Sequence, residues 1–187
     1  MLPSGLRKFA LTAHVTCSVG WIGAALGFLA IAMVALVAND PQTVRGAYLV
    51  MQPAAWAVLV PLSIGSLITG VVSSLGTSWG LIRHWWVLVK LAITVFATAV
   101  LLVYMETFRY LADRAADPAI ELSAIRNASP AVHAALALLV LFVPMVLSVY
   151  KPRGMTQYGQ RQLGRRRAPP SGEEAEQRTS AVMRVDP

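Results

Sequence analysis

Four long apolar segments constrain the fold of this chain more than any other feature. They cover residues 9–37, 46–75, 85–108 and 131–150. Each has the ~20 residues that a helix needs to cross ~30 Å of hydrocarbon. Charged residues make up 13% of the chain, against about a quarter in soluble domains, and the mean hydropathy is +0.59. The sequence therefore predicts an all-α fold, a bundle of four transmembrane helices.

The basic residues outside these segments predict the orientation of the bundle. By the positive-inside rule, the loops and tails richest in Lys and Arg lie in the cytoplasm, which places both termini there. The formal net charge of +7 then reflects topology and contact with anionic lipid, so we expect a lipid bilayer and no nucleic acid as partner. The predicted inner side carries Arg7, Lys8, Arg83, Lys151, Arg153, Arg161, Arg165, Arg166 and Arg167, and the outer side carries Arg45, Arg114 and Arg126 with Asp40, Asp113, Asp117 and Glu121.

The sequence predicts a membrane span near the N-terminus and a disordered tail at the C-terminus. The first apolar run is far longer than the core of a signal peptide, which indicates a retained span. Residues 1–150 are thus expected to form the membrane domain. Residues 151–187 have no apolar periodicity and pass from a basic to an acidic cluster, which is typical of a disordered cytoplasmic tail.

Acidic or hydroxyl residues followed by proline predict where helices begin. Such a residue caps the free N–H groups of the first turn, and proline is tolerated at the first helical position. Three dipeptides fit this pattern: Asp40-Pro41 before the second span, Asp117-Pro118 in the outer loop, where it predicts a short helix, and Ser129-Pro130 before the fourth span.

The first span places a histidine, His14, on an inward face. At 100° per residue the helix has three stripes. The histidine belongs to a stripe that includes Trp21 and is flanked by a glycine stripe suited to close helix packing. The aliphatic lipid stripe holds Leu11, Val15, Val19, Ile22, Leu26, Leu29 and Met33, the His14 stripe also holds Ala10, Ser18, Ala25 and Phe28, and the small-residue stripe holds Thr16, Gly20, Gly23 and Gly27.

Other ionisable residues inside the spans are candidate partners, because such residues are costly in a membrane and often functional. Lys90 lies at a depth similar to that of His14, near the predicted cytoplasmic side, where it either joins a site or extends its charge to the interface. Glu106 and His133 lie near the predicted outer side at matching depth. They form a candidate polar pair, either orienting a ligand or satisfying each other.

Three chemistries suit a buried imidazole: haem ligation, binding of a transition metal and proton relay. Haem b needs one or two axial nitrogens in a cavity between helices. A copper site needs further ligands, and Cys17 lies about 60° from His14 on the helical wheel. Haem therefore ranks above copper, with His14 as the metal ligand, while a structural role for the histidine stays open.

The pattern H-x6-W-x-G, present as His14, Trp21 and Gly23, resembles the first helix of the copper-resistance D (CopD) proteins and of the HemJ-type protoporphyrinogen oxidases. "WVLVKL" (86–91) is similar to a HemJ segment with Trp and Lys, matching Trp86 and Lys90, although Leu88 stands where that family has a histidine. Residues 8–150 resemble more broadly a group of four-span bacterial membrane proteins with a domain of unknown function. The resemblance to the HemJ-type family implies haem as cofactor and His14 and Lys90 as the important pair. The broader resemblance implies the four-span fold and a protein of the bacterial inner membrane.

The leading functional hypothesis is a haem b-binding or redox-linked membrane protein, with His14 as axial ligand, Lys90 on a propionate or another tetrapyrrole carboxylate, and Trp21 and Trp86 beside the cofactor. The sharpest form would be an enzyme of tetrapyrrole oxidation. The alternatives are a copper or proton transport or binding protein, and a structural subunit without cofactor. The oligomeric state does not follow from the sequence.

Overall fold

A computed structural model describes residues 3–76, 84–150, 154, 156 and 160. Its regular elements are all helical: α1 (Ser4–Val37), α2 (Pro41–Ala54), a π-helical turn (Ala55–Leu59), α3 (Val60–Gly76), α4 (Trp85–Ala116), α5 (Leu122–Ile125) and α6 (Ser129–Tyr150). Four continuous helical regions are long and apolar enough to span a membrane, and α2, the π turn and α3 together form the second. The predicted all-α fold with four membrane helices is confirmed. The predicted disordered tail lies almost wholly outside the described residues.

The four spans form an up-and-down bundle in which chain neighbours are also neighbours in space. The first span packs against the second and the fourth, and the third packs against the same two. This cyclic order is the one that short connections between antiparallel helices produce. One end of the bundle, where α1 and α4 begin and α3 and α6 end, is the predicted cytoplasmic end.

The stripes predicted for α1 agree with its burial in two cases out of three. Trp21, Ala25 and Phe28 of the His14 stripe are buried in the core, as is Ala10. The aliphatic stripe is largely exposed on the outside of the bundle, with Val19 at 60% exposure and Leu26 at 58%. One face of α1 thus meets lipid, and the face with the histidine meets protein.

The small-residue stripe of α1 does not provide the expected close packing. A Cβ added at Gly23 or Gly27 would meet nothing within 4 Å, and only Gly20 has a close neighbour, the Leu62 side chain. The close approach occurs instead at glycines of α3. A Cβ at Gly65 would lie 3.0 Å from Cys17 Sγ, and one at Gly70 would lie 3.0 Å from His14 Cε1. Helix α3 therefore supplies the small residues, and α1 supplies the side chains that pack on them.

The predicted helix starts differ in their outcome. Asp40 caps α2 as expected: its carboxylate accepts hydrogen bonds from the Thr43 backbone N–H at 2.8 Å and from the Thr43 hydroxyl at 2.6 Å. Asp117 instead closes a turn, accepting from the Ala119 N–H at 2.9 Å, and the short helix α5 begins later, at Leu122. Helix α6 begins at Ser129 as predicted, where the Asn127 side chain accepts from the Ser129 N–H.

Two arginines fasten the other end of the bundle by binding backbone carbonyls. Arg126 donates to the carbonyls of Leu36 and Ala38 at the end of α1. Arg45 donates to three carbonyls near the end of α4, those of Ala115, Asp117 and Ile120. The last carbonyls of a helix lack intrahelical donors and carry partial negative charge, so a guanidinium stabilises them. The predicted outer loop is therefore tied to the spans by cationic caps.

Candidate functional site

A cavity with several polar side chains in a largely apolar wall, called the polar cavity below, lies at the predicted cytoplasmic end of the bundle and brings together three of the residues singled out by sequence. His14, Trp86 and Lys90 all line it, and its volume is about 440 Å³. Helices α1, α3, α4 and α6 all contribute to its walls, the last through Ser148. His14 and Lys90 therefore line the same cavity, as expected from their similar depth in the sequence analysis. A volume of this size is in the range of small-molecule sites.

The imidazole of His14 is held by α3. Its Nδ1 lies 3.1 Å from the carbonyl oxygen of Ser66 and 3.3 Å from Thr69 Oγ1. The edge of the ring rests on Gly70, where an added Cβ would lie 3.0 Å from Cε1 and would push the ring away from its present position. One turn further along α1, the hydroxyls of Ser18 and Ser66 form a second link between the same helices at 2.8 Å. Backbone and glycine together fix the ring orientation.

These contacts determine which ring nitrogen is available for chemistry. A carbonyl oxygen can only accept, so Nδ1 must carry the hydrogen. Thr69 Oγ1 donates its own hydrogen to the Gly65 carbonyl and is also left as an acceptor toward Nδ1. In the neutral imidazole Nε2 then has a free lone pair, and the hydrogen bonds that the described residues make to the ring are all on Nδ1. A carbonyl on one nitrogen is the usual arrangement for a histidine that binds metal through the other.

Lys90 is the cationic side chain among the described residues that line the cavity. Lys90 lies in its wall, with Nζ 5.4 Å from the centre of the Trp86 ring, a cation–π distance. Among the described residues that line the cavity there is no carboxylate. The Ser73 hydroxyl is buried in the same wall without a hydrogen-bond partner in the described part of the chain. The wall of the cavity therefore contains a cationic side chain and a hydroxyl, groups of the kind that suit negative charge or acceptor oxygens.

Sequence reasoning missed the contribution of α3. Ser66, Gly70 and Ser73 line the cavity, and Thr69 supports the histidine. They recur at intervals of three and four in "SLITGVVSS" (66–74), the spacing of one helical face. This polar stripe could have been recognised from the sequence, because polar residues on one face of a membrane helix indicate that this face is turned away from lipid.

Trp21 does not join His14 in this cavity. It lines a second cavity of about 330 Å³, bounded by α1, the π turn, α4 and α6. The two residues share a face of α1, but seven residues of helix separate them by ~10 Å along the axis. The leading hypothesis placed Trp21 beside the cofactor, and the fold places it in a different cavity from His14, Trp86 and Lys90.

The expected pair of Glu106 and His133 is not formed. Glu106 is exposed and pairs with Arg109 one turn away at 2.5 Å. His133 stacks on Tyr104, with ring centres 3.7 Å apart and planes 9° apart, and it lines the second cavity together with Trp21. Depth alone placed the two residues together, but they point to different surroundings.

The cysteine also lies apart from the polar cavity. Cys17 Sγ packs against Gly65, and Cys17 is not among the residues that line the cavity. Within the described ranges no group of three or more His, Cys, Asp or Glu side chains could hold a metal ion.

The fold and the cavities define the class of protein: a multi-pass α-helical membrane protein with a polar site inside a four-helix bundle. Comparison with protein-family models, curated proteins and solved structures found no match to this chain.

Proposed function

We propose that this membrane protein binds haem b or a closely related tetrapyrrole in the polar cavity, with His14 Nε2 as axial ligand. The main support for this proposal is the hydrogen bond that Nδ1 donates to the Ser66 carbonyl. With the hydrogen on Nδ1, the lone pair that can bind a metal is on Nε2, and the ring orientation is fixed. Haem supplies one-electron redox chemistry when bound, so a redox-linked role, in its sharpest form an oxidation of tetrapyrroles, follows from the same proposal.

The other cavity residues suit the periphery of such a ligand. Lys90 provides a cation for a propionate, and a charge-assisted hydrogen bond of this kind is worth about 1.5–3 kcal/mol. Trp86 offers an aromatic surface in the same wall. Ser73 Oγ has an unused hydrogen. The residues therefore fit both the metal and the carboxylates of the group.

Absorption spectroscopy tests the proposal. The protein is purified in detergent, supplied with haem, freed of excess and measured before and after dithionite. We expect a Soret band that sharpens on reduction and is lost in His14→Ala. The matched control, His133→Ala, removes the imidazole of the second cavity and should keep the band. Lys90→Met should weaken haem binding by about tenfold or more, the size of one lost charged hydrogen bond.

The outcomes separate the alternatives. A folded, colourless wild-type protein after haem addition contradicts the proposal, as does a band that persists at full strength in His14→Ala. Metal analysis of the same preparations tests copper: stoichiometric copper lost in both His14→Ala and Cys17→Ala would favour the transport alternative. Circular dichroism and gel filtration of each variant show that it has folded.

A further inference from the structure

The second cavity has features that the haem proposal does not use. It lies between α1, α4 and α6, and its walls are almost entirely aliphatic and aromatic. Two polar groups interrupt them, the indole of Trp21 and the imidazole of His133. Phe96 and Leu136 line the cavity and are 63% and 56% exposed on the outside of the bundle, so its mouth faces the lipid. A ligand would enter from the bilayer.

The two polar groups have no hydrogen-bond partners in the described part of the chain. Trp21 is only 5% exposed, yet its indole N–H, which can only donate, makes no hydrogen bond there. His133 makes none through either ring nitrogen and contacts Tyr104 by stacking alone. Trp21 is buried and His133 is half-buried, and a polar group held away from water without a partner is costly, so a bound ligand with polar atoms of its own would stabilise both.

The imidazole is nevertheless held in a definite orientation. Tyr104 lies flat against it, and the Tyr104 hydroxyl is fixed by Ser129 Oγ at 2.7 Å. The Tyr104 ring also meets Phe108 edge to face, with centres 5.1 Å apart. A side chain fixed by packing while its nitrogens stay unused is typical of a preorganised binding group.

The second span contributes an irregular element to this cavity. Leu59, the last residue of the π turn Ala55–Leu59, lines it. Single π turns inside long helices occur frequently at functional sites. Proline residues at positions 53 and 61 flank the turn and remove backbone donors, which makes regular α-helix less favourable here.

We propose that this cavity binds a lipid-soluble quinone, a planar ring with carbonyl oxygens and an apolar tail. One carbonyl accepts the Trp21 N–H, and His133 hydrogen-bonds the ring oxygen that lies nearer to α6. The aromatic and aliphatic walls bury the ring, and the tail leaves through the mouth between Phe96 and Leu136. A simple lipid chain would fill the volume but leave both polar groups unsatisfied, so the donor set favours a carbonyl compound.

The test compares two probes that differ only in the oxygens. The protein in lipid nanodiscs is titrated with a benzoquinone carrying a ten-carbon tail and, separately, with decylbenzene, and the thermal unfolding midpoint is followed. A ligand that binds the folded state raises this midpoint. We expect a saturable rise with the quinone and little with decylbenzene. His133→Leu and Trp21→Phe should each weaken quinone binding by about fivefold, the size of one neutral hydrogen bond.

Two controls keep the result specific. Trp56→Phe replaces an indole that is 54% exposed on the lipid-facing surface and should bind the quinone like the wild type. His14→Ala should also bind the quinone, because His14 does not line the second cavity. The haem proposal and the quinone proposal can therefore fail independently. Equal midpoint shifts with both probes would show a site for lipid tails, and unchanged binding in His133→Leu would likewise overturn the proposal. If Trp21→Phe does not fold, the His133→Leu comparison decides.

Discussion

At the scale of single residues, the polar site depends on the absence of a side chain at Gly70. The His14 ring approaches this position so closely that a Cβ would lie 3.0 Å from Cε1 and 3.3 Å from Nδ1. Those distances are shorter than ordinary van der Waals contact. The ring cannot retreat without lengthening its hydrogen bond to the Ser66 carbonyl. The glycine thus has a specific packing role, and the histidine owes its orientation to it.

Substitution of this glycine should therefore weaken the bundle. Gly70→Ala is expected to lower the free energy of unfolding by about 1–3 kcal/mol relative to Gly23→Ala, because overpacking displaces the imidazole. Gly23 is the matched control, since its Cβ would meet nothing within 4 Å. The measurement is denaturant unfolding in detergent, followed by circular dichroism. Equal stability of the two variants would contradict the packing described for His14.

At the scale of helices, specific side-chain hydrogen bonds stabilise the ends of the helices as well as their interfaces. The chain caps α2 with Asp40, and two half-buried arginines bind the carbonyl ends of α1 and α4. The last carbonyls of a helix lack intrahelical donors, so these side chains help to fix where each span stops. The exposed pair of Arg109 and Glu106 differs, because water can replace either partner.

Removal of one cationic cap should show this difference. Arg126→Met leaves the Leu36 and Ala38 carbonyls without this donor and is expected to cost about 3 kcal/mol of stability, the lower end of the range for two charge-assisted hydrogen bonds, because the arginine is only half-buried. Arg109→Met, which breaks an exposed ion pair with side chains 62% and 72% accessible, should change stability by less than about 0.5 kcal/mol. Thermal unfolding in detergent measures both. Similar losses in the two variants would argue against the capping role.

The cap on α2 predicts a dependence on pH. Hydrogen bonds from the Thr43 side chain and backbone hold the pKa of Asp40 below its ordinary value. A lowered folded-state pKa means that the stabilisation is present above the ordinary pKa and is lost as pH falls through the lowered one. Unfolding is compared at pH 7 and at pH 3, in wild type and in Asp40→Asn, which caps without titrating. The variant should lose less stability on acidification, and identical pH profiles would show that Asp40 does not contribute.

At the scale of the whole molecule, two cavities of different character lie at different depths of one bundle. The polar cavity lies where α1 and α4 begin, and the apolar one is further along the same helices. The His14 stripe of α1 contributes to both, with His14 in the first and Trp21 in the second, and Leu11 and Val15 of the aliphatic stripe also line the first. The bundle thus has a site with Lys90 and His14 toward one membrane face and a lipid-accessible site that extends from the middle toward the other face.

The predicted orientation has its own test. Single cysteines are introduced into a Cys17→Ala background at Ala119, in the loop between α4 and α6, and at Gly5, at the start of α1. In intact cells a membrane-impermeant maleimide should label Ala119→Cys, and Gly5→Cys should react only after the membrane is opened. The physical reason is the excess of Lys and Arg at the N-terminal end of the bundle. Labelling in the opposite pattern would overturn the assigned orientation.

Hydropathy and helical periodicity by themselves determined the number of spans, the lipid face of α1 and the inward direction of His14. These properties follow from interactions with the surrounding medium, which each segment experiences separately. Only the tertiary structure decided which polar groups meet. Glu106 turned to Arg109, Trp21 and His133 met in a second cavity, and α3 supplied the carbonyl and the glycine that hold His14. Such pairings depend on the rotation of each helix and on its depth relative to its neighbours, and the sequence pattern of a single helix contains neither.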